Sequence, residues 1–342
     1  MRILQIVPTL GYGGVAQFLL NYYKLIDKSE IIFDFITHGG EEDFHCSLIR
    51  EGSNIFYLQS IGKSSLRSYK EQLKHVLTSN KYDIIHITGT EHYLLPFLWD
   101  KKVVITVHDL GRILSLKGIR KLRYWLMQVA VLKFAQVVTC ISSKTFQEVQ
   151  NRISLPIGKM VVIPNPIDSQ FAFSPKEFNT ECPSILHIGT KPNKNLTRSI
   201  MALKGIKCKM RIVGRVDKSD IDLLNINNIN YSIVSNLSDD EILQEYQNAD
   251  IINFPSYYEG FGMPIIEGQA IGRLVITSDI EPMKSVAGNG AILCNPYDVG
   301  SIRGAYLKAI NDSNYREDII KAGMENVENY RLEYITEKYV SL

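Results

Sequence analysis

Two doubly wound α/β domains, each a parallel sheet covered by helices, are the fold class this sequence predicts. Three observations carry the prediction. Short, continuously apolar runs alternate with helix-like segments, the texture of parallel strands buried on both faces. The 342 residues exceed what one core commonly organises, so two domains of ordinary size are expected. The alternation pauses once, at Pro164-Asn165-Pro166 and the polar, proline-bearing stretch Asp168–Pro183, and then begins again. The expected domains are 1–170 and 171–342, with a helical segment at about 325–342 packing back on the first.

In the first domain the strand-like runs are Arg2–Val7, Ile31–Thr37, Asn54–Leu58, Asp83–Thr88, Val103–Val107, Gln136–Ile141 and Met160–Ile163. In the second they are Ser184–Ile188, Met210–Val213, Ile229–Val234, Asp250–Phe254, Leu274–Thr277 and Ala291–Leu293. Ligands of such sheets bind beyond the C-terminal strand ends, so a cleft between the domains is the expected site.

Composition narrows the class. No stretch of about 18 apolar residues occurs, and residues 1–7 read as a strand rather than a signal peptide, which predicts a cytoplasmic protein. The five cysteines are scattered and never form Cys-x-x-Cys, against a disulfide framework or a zinc site. No His/Asp/Glu spacing suggests a metal, and no cofactor is expected. Residues 1–170 carry 20 Lys+Arg against 14 Asp+Glu, and 171–342 carry 18 against 22, so a basic half joins an acidic one.

The most informative segment is Glu259-Gly260-Phe261-Gly262-Met263-Pro264-Ile265-Ile266-Glu267. Pro264 is expected as the first helical residue, with its φ preset and no N–H to lose. The glycines let the backbone approach a ligand, and the amides of Phe261, Gly262 and Met263 then face outward at a helix N-terminus that attracts anions. Glu267 is expected in the first turn and Glu259 in the loop. Carboxylates beside a diphosphate are useful if they accept hydrogen bonds from neutral hydroxyls, as on a ribose and a sugar.

Other motifs are weaker. Gly11-Tyr12-Gly13-Gly14-Val15-Ala16 fits a dinucleotide fingerprint, but the second strand ends in Ile36-Thr37-His38 without the ribose-binding acid. Gly13 and Gly14 read better as a loop approaching a diphosphate or sugar; a tight strand-to-helix turn is the plain alternative. His108 and Asp109 stand where a buried strand emerges. His86 and His187 also end apolar runs, whereas His92 looks incidental. In Gly189-Thr190-Lys191-Pro192-Asn193-Lys194-Asn195, Lys194 can reach a phosphate and Gly189 permits close approach. Lys191 reads as solvated, and Arg198 is a weaker candidate. Asp220-Ile221-Asp222 mimics a metal motif but opens a helix, where acids suit the dipole, and Ser238 to Glu241 is a capping box. Gly111 to Phe134 is basic and amphipathic. Two readings stay open for it: contact with an anionic membrane, or an ordinary packed helix with a solvated face. The small charge excess and the lack of a motif argue against nucleic acid.

Together, the Gly13-Gly14 loop, His108, Val162-Ile163-Pro164-Asn165, Gly189, Lys194-Asn195, Pro255-Ser256, the Glu259 to Glu267 block and Thr277-Ser278-Asp279 resemble the family-4 retaining glycosyltransferases of GT-B fold, almost end to end. The resemblance implies metal-independent transfer of a hexose or N-acetylhexosamine from a UDP- or GDP-sugar to a hydroxyl of a glycan or lipid-linked glycan. It also implies a place in bacterial surface polysaccharide synthesis (O-antigen, capsule or exopolysaccharide) and a location in the cytoplasm or at the inner face of its membrane. By the same resemblance Lys194, Glu259 and His108 are catalytic. Gly13, Gly14, Asn165, Gly189, Thr190, Phe261, Gly262, Met263 and Glu267 bind the donor. Acceptor binding falls to the first domain and nucleotide-sugar binding to the second.

Two positions depart from the pattern. Thr190 stands where the family commonly has a second phosphate-binding arginine, a role left to Arg198, Arg215 or Lys194 alone. Lys284-Ser285 replaces a frequent acid. The rival readings are a non-catalytic GT-B chain that partners an active transferase, a glycosidase using Glu259 and Glu267, and a nicotinamide oxidoreductase. The helix N-terminus argues against the glycosidase, whose retaining carboxylates sit about 5 Å apart across a sugar.

Overall fold

The computed structural model describes residues 1–7, 31–37, 53–57 and 65–342. The chain divides into two compact units, Met1–Pro166 with Leu332–Leu342, and Ile167–Arg331.

Among the described residues of the first unit, β1 (Arg2–Val7), β2 (Ile32–Thr37), β3 (Ile55–Tyr57), β4 (Ile84–Ile87), β5 (Val103–Val107), β6 (Val137–Cys140) and β7 (Met160–Val162) form one parallel sheet in the order β3-β2-β1-β4-β5-β6-β7. Helices α1 (Ser65–Ser79), α2 (Gly111–Ser115), α3 (Gly118–Gln128) and α4 (Ser143–Gln150) connect strands. The period-two alternation of a strand explains why both faces are covered. Leu4 and Ile6 of β1 enter one core with Ile85, Ile87, Ile105 and Val138, while Ile3 and Val7 enter another with Phe35, Ile163 and the C-terminal helix residues Ile335 and Tyr339.

A buried polar seam crosses the first sheet. The Nε2 of His86 lies 2.9 Å from the Thr106 hydroxyl, which is 2.8 Å from that of Thr139 and 3.3 Å from the Tyr339 hydroxyl. Burial pushes His86 down to about 3, so it is neutral and joins the sheet to the C-terminal helix. His86 therefore has a structural place.

The second unit repeats the plan with β8 (Ser184–Ile188), α5 (Leu196–Ala202), β9 (Lys209–Val213), α6 (Lys218–Ile226), β10 (Asn230–Val234), α7 (Asp239–Asn248), β11 (Ile251–Phe254), α8 (Met263–Ile271), β12 (Leu274–Ser278), α9 (Met283–Ala287), β13 (Ile292–Cys294), α10 (Val299–Asn311) and α11 (Ser313–Val327). Its parallel order is β10-β9-β8-β11-β12-β13. The chain runs outward from β8 through β9 to β10, then crosses back to β11 and continues the other way. The strand order thus reverses between β8 and β11, and a crevice is expected at their C-terminal ends.

Local signals set these elements. Ser238 accepts from the Glu241 amide at 3.3 Å while the Glu241 carboxylate accepts from the Ser238 amide at 2.7 Å, a complete capping box on α7. Asp220 lies in the first turn of α6 and accepts from the Thr197 hydroxyl at 2.7 Å. Helix α8 is pressed so closely on the sheet that a Cβ at Gly268 would lie 2.7 Å from Ile252 Cγ1.

Candidate functional site

The loops leaving β8 and β11 are laced together at the point of strand reversal. The Lys194 ammonium lies 2.8 Å from Glu259 Oε1, and over the Phe254 ring at 4.5 Å from its centroid. Asn193 donates through Nδ2 to the Tyr258 carbonyl at 2.9 Å and to Glu259 Oε1 at 3.1 Å, and its own carbonyl accepts from the Tyr257 amide at 3.0 Å. Asn195, in the left-handed conformation at φ 64°, donates to the carbonyls of Pro255 at 2.9 Å and Pro296 at 2.7 Å. Gly189 makes room for the lysine. At φ +86° it favours glycine, and a Cβ there would sit 3.2 Å from Lys194 Cγ and Cε.

At the second loop, α8 starts one residue earlier than the sequence suggested. Gly262 is the N-cap at φ 116°, Met263 the first helical residue and Pro264 the second. Proline is tolerated there for the same reason, because neither position owes an intrahelical N–H bond. Among the described residues, the amides of Phe261, Gly262 and Met263 have no hydrogen-bond acceptor. The Phe261 ring is buried and meets Tyr330 edge-on, centroids 5.7 Å apart, which holds the loop down.

Glu267 corrects a second expectation. It is the fifth residue of α8, beyond the first turn, and half-buried. The hydroxyl of the fully buried Tyr246 donates to its Oε2. Burial, opposed by that bond and by Lys194, pushes the Glu267 carboxyl up to about 7.

Thr190 donates to the Arg215 carbonyl at 2.5 Å, tying the turn after β8 to the loop after β9. Arg198 reaches back to Asn195 Oδ1 at 3.2 Å, and the Arg215 side chain is exposed. Lys284 makes a 2.8 Å ion pair with Asp279, both exposed. His187 belongs to the core: its Nδ1 is 2.9 Å from Asn253 Nδ2, and Asn253 also bonds the Ser199 and Tyr306 hydroxyls.

In the first unit, His108 follows β5 and lines a cavity of about 580 Å³ with Thr88, Gly89, His92 and Tyr93 on one side and α3 side chains on another. Burial pushes His108 down to about 4, so the ring is neutral at ordinary pH. Asp109 Oδ1 accepts from the Gly111 amide at 2.8 Å. Asn165 follows β7 with a buried Oδ1 that has no partner among the described residues. Gly13 and Gly14 lie outside the described residues.

Three contributors escaped the sequence reading. Asn193 was flagged only by its neighbours Pro192 and Lys194. Tyr246 gives no local signal, since it sits on α7. His92, read as incidental, is buried, with Nδ1 2.7 Å from the Gln128 carbonyl, and it lines the His108 cavity.

Known proteins resemble this chain in sequence and fold. The family model described as Glycosyl transferases group 1 matches residues 168–326, and that described as Glycosyltransferase Family 4 matches residues 12–171. The chain is 28% identical over 103 residues to the O-antigen chain mannosyltransferase B of Escherichia coli, covering 30% of this chain and 27% of that protein. It is 27% identical over 230 residues to the O-antigen chain mannosyltransferase RfbU of Salmonella typhimurium, covering 63% and 62%. Each match thus spans less than two thirds of the relative's length. Sucrose-phosphate synthase from Thermosynechococcus elongatus superposes with a TM-score of 0.82 at 18% identity, covering 100% of this chain and 98% of that one. Anabaena HepE, solved with UDP and glucose, gives 0.79 at 16% identity with the same coverage. These likenesses show the fold. With the two family models running in succession from residue 12 to residue 326, the chain belongs to the family-4 glycosyltransferases, glycosyl transferases group 1, and has their GT-B fold.

Proposed function

We propose that this glycosyltransferase moves a hexose or N-acetylhexosamine from a nucleoside diphosphate sugar to a hydroxyl of a glycan or lipid-linked glycan, with retention of anomeric configuration and without a metal. The observation that carries the proposal is the Lys194–Glu259 pair, followed in the same loop by the amides of Phe261, Gly262 and Met263, which have no acceptor among the described residues, with Glu267 on the helix those amides open. The ammonium and the helix N-terminus stabilise charge developing on the leaving diphosphate. Glu259 accepts hydrogen bonds from the sugar and Glu267 from the ribose. The anomeric C–O bond to phosphate breaks while the acceptor oxygen bonds to the same face, and the acceptor proton passes to the leaving phosphate oxygen. In this reading the second unit binds the donor, the first binds the acceptor, and His108 is catalytic, touching the donor sugar.

The relatives named as O-antigen chain mannosyltransferases favour a surface-polysaccharide role and put mannosyl donors first for testing. The test is a thermal-shift and hydrolysis screen against UDP-, GDP-, ADP- and dTDP-sugars with and without EDTA. A shift with one donor, with slow EDTA-resistant release of its nucleoside diphosphate, supports the reading. Silence toward every donor moves the assignment to a non-catalytic partner of an active transferase.

A peripheral position on the inner membrane face is part of the proposal. None of the residues of α3 is buried, and Ile119, Leu122 and Leu126 are 83%, 55% and 49% exposed among basic side chains. An apolar stripe flanked by cations suits an anionic interface. Co-sedimentation with phosphatidylglycerol vesicles, lost on Ile119→Asp with Leu122→Asp, is the expected result; equal sedimentation of wild type and variant overturns it.

A further inference from the structure

The face of the first sheet that meets the C-terminal helix carries a second cavity, at the opposite end of the strands from His108. Strand register builds its floor. Because Ile3 pairs with Ile84, Gln5 with His86, His86 with Val104 and Val104 with Val137, these side chains stand on one face of the sheet. All six line a cavity of about 400 Å³, a volume in the range of small-molecule sites. Asp83, Lys102 and Gln136, the residues just before β4, β5 and β6, stand exposed at its rim, and Tyr339 and Leu342 add a wall from the C-terminal end of the chain.

Gln5 is the anomaly of this floor. It is wholly buried between Leu4 and Ile6 of β1, and neither its Oε1 nor its Nε2 has a hydrogen-bond partner among the described residues. Its neighbour His86 does not answer it, because the polar seam closes on itself: His86 Nε2 faces Thr106, and Thr106 meets Thr139 and Tyr339. A buried amide without partners forfeits its hydration and gains no bond in return, so the position calls for a group that supplies both.

The chemistry of the walls selects the ligand. An ion finds no opposite charge inside, since burial keeps His86 neutral and Asp83 and Lys102 are both at the exposed rim. A sugar brings several hydroxyls to walls of isoleucine and valine. A hydrocarbon fits those walls but leaves the Gln5 amide unpaired. A ring lactam meets both requirements, because its adjacent N–H and C=O pair in one plane with the Oε1 and Nε2 of a primary amide. We propose that this cavity is a binding site for a small, neutral, largely apolar molecule carrying a cis-amide, with Gln5 making the paired hydrogen bonds and Ile3, Ile84, Val104 and Val137 covering the ring. The site is separate from the strand ends used in the proposed transfer and stands whether or not the chain transfers sugar.

Calorimetric titration of the whole protein with 2-quinolone tests it. The control ligand is N-methyl-2-quinolone, which keeps the ring and the carbonyl and lacks the N–H. The expected result is saturable binding of 2-quinolone, at least about tenfold tighter than of its N-methyl form. Gln5→Leu, close in volume and apolar, should abolish that preference while melting at the wild-type temperature or above, because it removes the unpaired amide. Val137→Phe, which grows into the cavity from β6, should weaken both ligands about tenfold or more, with circular dichroism confirming the fold. Equal affinity of wild type for the two ligands, a preference that survives in Gln5→Leu, or undiminished binding in Val137→Phe would place the contact elsewhere and overturn the site. So would a melting temperature lowered by Gln5→Leu, which would mean that the amide is already satisfied, or no binding at all, which would leave the cavity to water.

Discussion

Lys194 and Glu259, 65 positions apart in sequence, form a 2.8 Å ion pair across the point where the second sheet reverses its strand order. Both side chains are largely shielded, 20% and 14% exposed, so the pair is held in a partly dehydrated setting. In the proposed mechanism an arriving donor competes for each partner, its diphosphate for the ammonium and its sugar hydroxyls for the carboxylate. Lys194→Ala and Glu259→Ala are each expected to lower turnover roughly a hundredfold or more, the scale seen when a charge-stabilising group is removed from an active site. Steady-state kinetics on variants with wild-type circular dichroism checks this, and near-native transfer in both would sink the proposed mechanism.

Gly189→Ala tests how the lysine is placed. The substitution forces a Cβ into a φ of +86° and sets it 3.2 Å from the Lys194 stem. A cost of about 1–2 kcal/mol in stability is expected from the backbone alone. Displacement of Lys194 should lower kcat beyond what that loss explains, measured well below the melting temperature. A variant destabilised but fully active would show that the lysine position is not set by this glycine.

The strands were legible because each is a continuous apolar run closed by polar or turn residues, and in the second unit those runs place loops 189–195 and 255–262 at adjacent strand ends. The two glutamates were legible from their spacing around Gly260, Gly262 and Pro264. Partner choice was not. Tyr246 meets Glu267 only because α7 packs against α8, and Asn193 meets Glu259 only because β8 and β11 are neighbours. The one-residue slip at α8 has a local cause. Either glycine could take a left-handed conformation, and it is Gly262 that does, which makes Met263 helical before Pro264. The cavity beside His108 was half visible as a basic stretch, but its shape needs the segment 88–93 brought beside α3.

Thr190 stands where an arginine is common, and its hydroxyl holds the Arg215 carbonyl at 2.5 Å. This bond keeps the backbone of an exposed arginine next to the turn that carries Lys194. Arg215→Ala is expected to raise the donor KM severalfold, with little effect on melting because its side chain is exposed. Thr190→Arg in the Arg215→Ala background should recover part of the loss. An Arg215→Ala enzyme with wild-type KM would leave Lys194 as the only cation needed.

Glu267 predicts a pH dependence whose sign differs for stability and for binding. Burial raises its carboxyl from the ordinary value of 4.5 to about 7, so the folded protein holds a proton that the unfolded chain releases between those values. Its contribution to stability is therefore present below about pH 4.5 and lost as pH rises through 7. Binding runs the other way in the proposed mechanism, because a ribose hydroxyl needs the carboxylate as acceptor. Donor affinity should rise between pH 6 and pH 8, around the value of about 7. Glu267→Gln should flatten both trends, and Tyr246→Phe, which removes the hydroxyl that favours the carboxylate, should shift the affinity midpoint upward. Calorimetric titration of the donor across this range checks the binding arm, and thermal melts of wild type and Glu267→Gln check the stability arm. An affinity profile that rises equally in Glu267→Gln would assign the titration to another group.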